Sequence, residues 1–377
     1  MSKICGIIAE YNPFHNGHIF QLEKAREVSG ASDIVVVMSG NFVQRGEPAV
    51  VCKTVRTKMA LLGGASVVLE LPVGFATSSA EGFATGAAYI LAKTGIVDSL
   101  CFGAETANMA GLKEIAHYLA HETGDYKRAL KEGVAKGLSF PRARAAALSL
   151  KFPNANEVIN SPNNILATEY LKAIKRHSLP LEPFLVQRTG ADHHGQALTG
   201  AFASASALRA QIHAGNIDVL APFMPPESLE LLKSEHAAGR INHLDNLSPF
   251  LHYLLMNSEN SPLKKAAKNN YLITDIIKEA KTKNITLASL RRKALHTILR
   301  PAPPALPAYI RVLGFNREKS HLISKLHTSS ALPLITNAKH AKELLAEEIK
   351  TTKFYWLSLK HKNIDEKNEL STPIVLV

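Results

Sequence analysis

The sequence predicts an α/β fold, with a parallel sheet covered on both faces by helices in the first half and a mostly helical C-terminal part. Three observations predict it. Short apolar runs alternate with segments of helical spacing up to residue 187. After residue 215 the β-branched runs thin out, and helix-forming stretches lie between Pro-rich breaks, Pro222 to Pro226 and Pro301 to Pro307. The composition, 46% hydrophobic and 20% charged, is globular and excludes disordered and fibrous classes.

The first predicted strand is Lys3–Glu10, with Ile4, Ile7 and Ile8 in a run suited to a buried parallel strand. A turn with Asn12, Pro13, Asn16 and Gly17 follows. His18–Val28 then carries Ile19, Leu22 and Ala25 at helical spacing. Asp33–Ser39 is the second strand, Thr54–Gly63 a helix and Ser66–Pro72 the third strand. Ser79–Thr94 is an Ala-rich helix and Ser99–Gly103 the fourth strand. Leu112–Leu150 reads as helices. Ala167–His177 is a helix preceded by Ser161-Pro162-Asn163-Asn164, and Pro183–Gln187 is a last strand. Ligands of such sheets bind outside the carboxyl ends of the strands. A boundary near residue 215 divides the chain into residues 1–215 and a mainly helical, basic part, residues 216–377.

The net charge is +12 and the isoelectric point near 9.5, a surplus that suits a polyanionic partner, nucleic acid above all. Residues 216–377 hold 23 Lys/Arg against 15 Asp/Glu, so eight of the twelve excess charges lie there. A solvated helical surface explains that bias equally well. Cys5, Cys52 and Cys101 are scattered and odd in number, which argues against a disulfide framework and for a reducing compartment. The run Val67–Val73 is broken by Glu70 and Pro72, so no membrane span is expected. With no secretory leader at Met1, the expected location is the cytoplasm.

The chemistry concentrates in Glu10-Tyr11-Asn12-Pro13-Phe14-His15-Asn16-Gly17-His18, after the first strand and at the start of the first helix. A helix N-terminus offers unpaired N–H groups that attract phosphate. Gly17 lets the backbone approach a nucleotide. His15 and His18 are candidate catalytic residues, able to donate to α- and β-phosphate oxygens where charge grows as pyrophosphate leaves, although two His three apart also suit a metal pair or a plain surface. The motif resembles that of the HIGH-type nucleotidyltransferase superfamily, which combines a Rossmann-like sheet with ATP cleaved between its α- and β-phosphates. Ser204-Ala205-Ser206-Ala207-Leu208-Arg209 resembles the Ser-x-Ser-x-x-Arg helix start that contacts phosphates in adenylyltransferases. Hydroxyls there cap the helix and Arg209 supplies a fixed cation; taken alone the segment reads as an ordinary capped helix, and its place after the His15–His18 motif ties it to the same site.

A narrower family matches more of the chain. Gly40 to Ala49, Glu70-Leu71-Pro72, Ser79 to Ala84, Phe102 to Glu105, Ser161 to Ala167, Arg188 to Ala191, Phe202 to Ser204, Arg311 to Phe315 and Asn368 to Pro373 are similar to segments of the bacterial tRNA(Met) cytidine acetate ligases. The resemblance departs at Cys52, where Asp is expected before Lys53, and at Ala191-Asp192-His193-His194. It implies an ATP-dependent acetate ligase. Acetate and ATP give acetyl-AMP, which acetylates the wobble cytidine (C34) of elongator tRNA(Met) to N4-acetylcytidine. The partners it implies are acetate and elongator tRNA(Met), with no membrane. The cosubstrate is ATP, accompanied by Mg2+.

The resemblance further implies an ATP site running through Ile7, Ile8, Ala9, Glu10, Tyr11, Asn12, Pro13, Phe14, His15, Asn16, Gly17, His18, Ile19 and Phe20, completed by Gly103, Asn163 and Arg188, with Ser204 and Arg209 on the phosphates. Each of Gly103, Asn163 and Arg188 reads as well as a turn glycine, a helix cap and a surface arginine, and Asn164 competes with Asn163 as the contact. Gln44, Arg45 and Lys53 suit acetate, RNA or a solvated loop. His193 and His194 lack a third ligand at matching spacing, so no protein-bound metal is expected. Trp356 reads as core first and as a base-stacking side chain second. Two other functions fit the residues less fully: a small-molecule adenylyltransferase, and a non-catalytic RNA-binding protein with a relic nucleotide site.

Overall fold

The structure, a computed structural model, describes residues 3–159, 161–188, 203–302, 305–360 and 369–377. Strands β1 (Ile4–Ala9), β2 (Asp33–Ser39), β5 (Val67–Leu71), β6 (Ser99–Ala104) and β7 (Glu182–Gln187) form the parallel core of one sheet. A small hairpin, β3 (Phe42–Val43) and β4 (Glu47–Pro48), stands apart. Within this parallel core the order β5-β2-β1-β6-β7 puts β1 at the centre, with Ile7 beside Val36 on one side and Cys101 on the other. Strand order reverses between β1 and β6, which opens a crevice at their carboxyl ends.

These five strands fall where the apolar runs predict them, because buried parallel strands are apolar on both faces. Cys5, Ile7, Ile34, Val36 and Met38 face α1 (Asn16–Ser29) and α2 (Lys53–Leu62). Ile4, Val35, Val37 and Leu69 face the helices Ala80–Lys93 and Pro162–Arg176. Leu208, Leu232, Leu251 and Leu295, from helices between residues 205 and 299, extend the α1 and α2 side of the core.

The chain then returns to the sheet, which the sequence reading does not anticipate. Strand β8 (Ile310–Phe315) lies antiparallel to β5, with β9 (Leu334–Ile335) and β10 (Val375–Leu376) parallel to it. The sheet is therefore mixed, and Pro183–Gln187 is not its last strand. Arg311 interrupts the apolar run of β8 and hides its strand character. The charge is tolerated because Arg311 meets Glu70 of β5 at 2.7 Å and also pairs with Glu369.

Candidate functional site

The turn after β1 carries the histidine pair. His15 is the N-cap of the 14-residue helix α1, with extended backbone (φ −149°, ψ 173°). The N–H of Gly17 donates to His15 Nδ1 at 3.1 Å, and the N–H of His15 donates to His18 Nδ1 at 3.2 Å. The rings lie 3.9 Å apart. Each Nδ1 accepts, so each neutral ring carries its proton on Nε2. Burial, then the charges of Arg188 and Arg209, hold His15 down to about 3. Burial, then His15 and Arg188, hold His18 well below its usual value. At neutral pH the site therefore holds two uncharged rings, each with an Nε2–H donor left after capping.

Buried groups fix this turn from beneath. Phe14 is fully buried, and a Cβ on Gly63 would meet its ring at 2.3 Å. The Tyr11 ring stands edge-on to His18 at 4.7 Å. Arg56 of α2, with no exposed surface, donates from Nη1 to the carbonyls of Glu10 at 2.6 Å and Ser39 at 3.1 Å. Its Nη2 donates to the Gly40 carbonyl and its Nε to that of Val51. One guanidinium thus ties the carboxyl ends of β1 and β2 together. Sequence reasoning missed Arg56. Its signal was an arginine on the apolar stripe of Cys52, Val55, Met59 and Ala60.

Arg209 braces the same turn. Its Nη1 donates to the Asn12 carbonyl at 2.8 Å, while Nη2 pairs with Glu47 at 3.1 Å. Ser204 caps the helix Ala205–Ala214, its Oγ accepting from Ala207 N–H at 3.1 Å. Arg45 reaches Ser206 Oγ at 3.4 Å and brings the β3–β4 hairpin to this helix.

On the far side of the crevice, the Arg188 N–H donates to the Ala104 carbonyl at 2.8 Å, and the Arg188 stem would lie 3.3 Å from a Cβ on Gly103. The Glu105 carboxylate sits at the N-terminus of Pro162–Arg176, accepting from Asn163 Nδ2 at 2.6 Å and Asn164 N–H at 3.1 Å. Asn164 is buried, and its Oδ1 accepts from the N–H groups of Glu105 at 2.8 Å and Thr106 at 3.2 Å. Asn164 is thus engaged within the fold, and half-buried Asn163 stands at the rim.

The structure brings His15, Gly17, His18, Arg209, Gly103, Asn163 and Arg188 to one end of the sheet. Ile7, Ala9, Tyr11, Asn12, Pro13 and Phe14 are buried in the protein and form the floor beneath the site. Ile8, Glu10, Asn16, Ile19 and Phe20 are half-buried. Lys53 is not in a solvated loop: it is buried in α2 with Glu70 at 2.5 Å and Glu369 at 2.7 Å. Cys52 is the buried N-cap of α2 and its thiol makes no cap bond. Trp356 is buried beside Tyr355. Thr189 to Phe202, including His193 and His194, lie outside the described residues.

A mostly parallel sheet with paired imidazoles at the first helix N-terminus defines a nucleotidyltransferase site, and the HIGH Nucleotidyl Transferase family matches residues 2–370. Curated proteins named tRNA(Met) cytidine acetate ligase are 38% identical, one from Thermoanaerobacter sp. (strain X514) covering 96% of both chains and one from Caldicellulosiruptor bescii covering 99% of both. The crystal structure of Thermotoga maritima TmcAL bound with alpha-thio ATP superposes with a TM-score of 0.91 at 30% identity, over 100% of this chain and 99% of that one. The chain belongs to the tRNA(Met) cytidine acetate ligase family, within the HIGH nucleotidyltransferases.

Proposed function

We propose that this protein activates acetate with ATP and transfers the acetyl group to the wobble cytidine of elongator tRNA(Met). The observation that carries the reading is the pair of neutral imidazoles at the α1 N-terminus, each with its Nε2–H left over after capping. Two such donors beside Arg188 suit a triphosphate whose charge shifts onto departing pyrophosphate. An acetate oxygen bonds to the α-phosphorus as the bond to the bridging oxygen breaks. Acetyl-AMP and pyrophosphate result. The exocyclic amine of cytidine then attacks the acetyl carbonyl, AMP leaves and the amine proton is lost to water. ATP enters as its magnesium complex, the ion being part of the substrate. By family resemblance Gly103 and Asn163 line the nucleoside side.

Adenylation suits acetate, a poor acylating agent until it carries a good leaving group. The cytosine must be splayed from its loop to reach the mixed anhydride. The basic part, residues 216–377, is the proposed RNA-contacting region. No helix among the described residues is long and apolar enough to cross a membrane, and a tRNA substrate fits action in the cytoplasm. Two measurements test the reading. Labelled pyrophosphate enters ATP only when acetate is present, and isotopic acetate appears in tRNA(Met) by mass spectrometry. Exchange without acetate favours a small-molecule adenylyltransferase, and tRNA binding without either reaction favours a relic site.

A further inference from the structure

Outside the nucleotide site the structure carries an aromatic shelf. The helix Ser248–Met256 buries Leu251 and Leu255 and turns Tyr253 and Met256 outward, 68% and 70% exposed. These two are three residues apart and share a helix face. Tyr271, 61% exposed, lies flat on His252 with ring centroids 5.3 Å apart and planes 13° from parallel. The His252 Nε2 is 3.0 Å from the Tyr271 carbonyl oxygen, which fixes the stack. Met256 is four residues from His252 and three from Tyr253, so its thioether neighbours both the Tyr253 ring and the His252–Tyr271 stack on the helix surface.

The charge around it is positive. Lys265 and Lys268 are exposed and have no ion pair among the described residues. Among the nearby carboxylates, Asp275 pairs with Lys278 at 2.9 Å, Glu279 accepts from the neutral amides of Asn269 and Asn270 and keeps its charge, and Glu259 is exposed, so that Lys264, Lys265, Lys268 and Lys278 outnumber the three acids. Flat rings edged by unneutralised ammonium groups suit a strand with unpaired bases, because every base has a π-face and every linkage an anion. A second copy of this chain suits it poorly, since both carry a net +12.

We propose that this shelf receives an unpaired segment of the RNA substrate, with bases stacked on Tyr253 and Tyr271 and phosphates held by Lys265 and Lys268. The proposal rests on the acetate-ligase reading for the identity of the RNA. The shelf is joined to the site through the fold: the helices Ser248–Met256 and Ile273–Ala280 pack on Leu287–Leu299, whose Arg291 lies 3.7 Å from Glu47, the partner of Arg209.

Fluorescence anisotropy with a tRNA(Met) transcript tests it, using the full chain and the double variants Y253A/Y271A and K265A/K268A. Both keep the wild-type melting temperature, since the four side chains face solvent. Y253A/Y271A binds tRNA about tenfold more weakly or worse. K265A/K268A lowers the slope of log affinity against log salt by about 1.4, the value for two contacts to single-stranded phosphates. Acetate-dependent pyrophosphate exchange, which needs no RNA, is unchanged in both. Unaltered tRNA affinity in Y253A/Y271A overturns the proposal. So does light scattering that finds a dimer dissociated by Y253A/Y271A while RNA affinity holds. Failure of wild-type exchange counts against the ligase reading alone, because anisotropy judges the shelf by itself.

Discussion

The backbone N–H of His15 is held by Nδ1 of His18 at 3.2 Å, so the two histidines form a reciprocal cap in which a ring usually assigned to catalysis also shapes the helix start. Capping fixes the tautomer, and the tautomer leaves the Nε2–H for a ligand.

The two duties can be separated. Asn is a strong N-cap residue, so His15→Asn preserves folding to within about 1 kcal/mol. It removes the Nε2–H donor, and acetate-dependent pyrophosphate exchange falls about 10²- to 10³-fold. Urea unfolding alongside the exchange assay checks both halves. A parallel loss of stability and exchange would mean that the ring serves the cap alone.

The pH response follows from the same pair. The unfolded chain protonates these rings below about 6.5, whereas folded His15 stays neutral down to about 3 and folded His18 is also held low. Between those limits the unfolded state binds more protons, so stability falls as pH drops from 6.5 toward 3. Melting temperatures at pH 7 and pH 5 measure this, and His15→Asn flattens the difference. Exchange activity shows no step near pH 6.5 from these rings.

Arg56 holds the floor of the site by donating to four carbonyls. Arg56→Met leaves those acceptors dry and costs about 3–5 kcal/mol. Arg56→Lys keeps the charge but loses the fork, and retains part of the stability. Urea midpoints of the two variants rank them. Equal midpoints for wild type and Arg56→Met would remove the strut role.

A second buried group closes the chain onto the sheet. Burial would raise the Glu369 carboxyl, but Lys53 and Arg311 outweigh it and hold the group at about 2. An unfolded Glu titrates near 4.3. The stabilisation is therefore complete above about 4.3 and lost as pH falls toward 2. Glu369→Gln leaves Lys53 and Arg311 with one fewer buried anion and costs about 3–5 kcal/mol at pH 7, read by urea unfolding.

The sequence by itself determined the five parallel strands, their helices and the histidine pair. Each is a local pattern: an apolar run, a helical period, or a short motif whose residues meet within one turn. It also carried the SASALR helix start, because a cap and its helix are neighbours in the chain. Tertiary structure alone decided which of Asn163 and Asn164 faces the rim, since the choice depends on Glu105, 58 or 59 positions away. It decided that Arg209 braces Asn12 from 197 positions away. It also decided that Lys53 is buried and that Ile310–Phe315 is a strand. A lysine or arginine in an apolar run reads as exposed until its counter-charge is known. Here that counter-charge is Glu70, 17 positions from Lys53 and 241 from Arg311. Burial of charge is decided by the partner that neutralises it, and only folding brings that partner near.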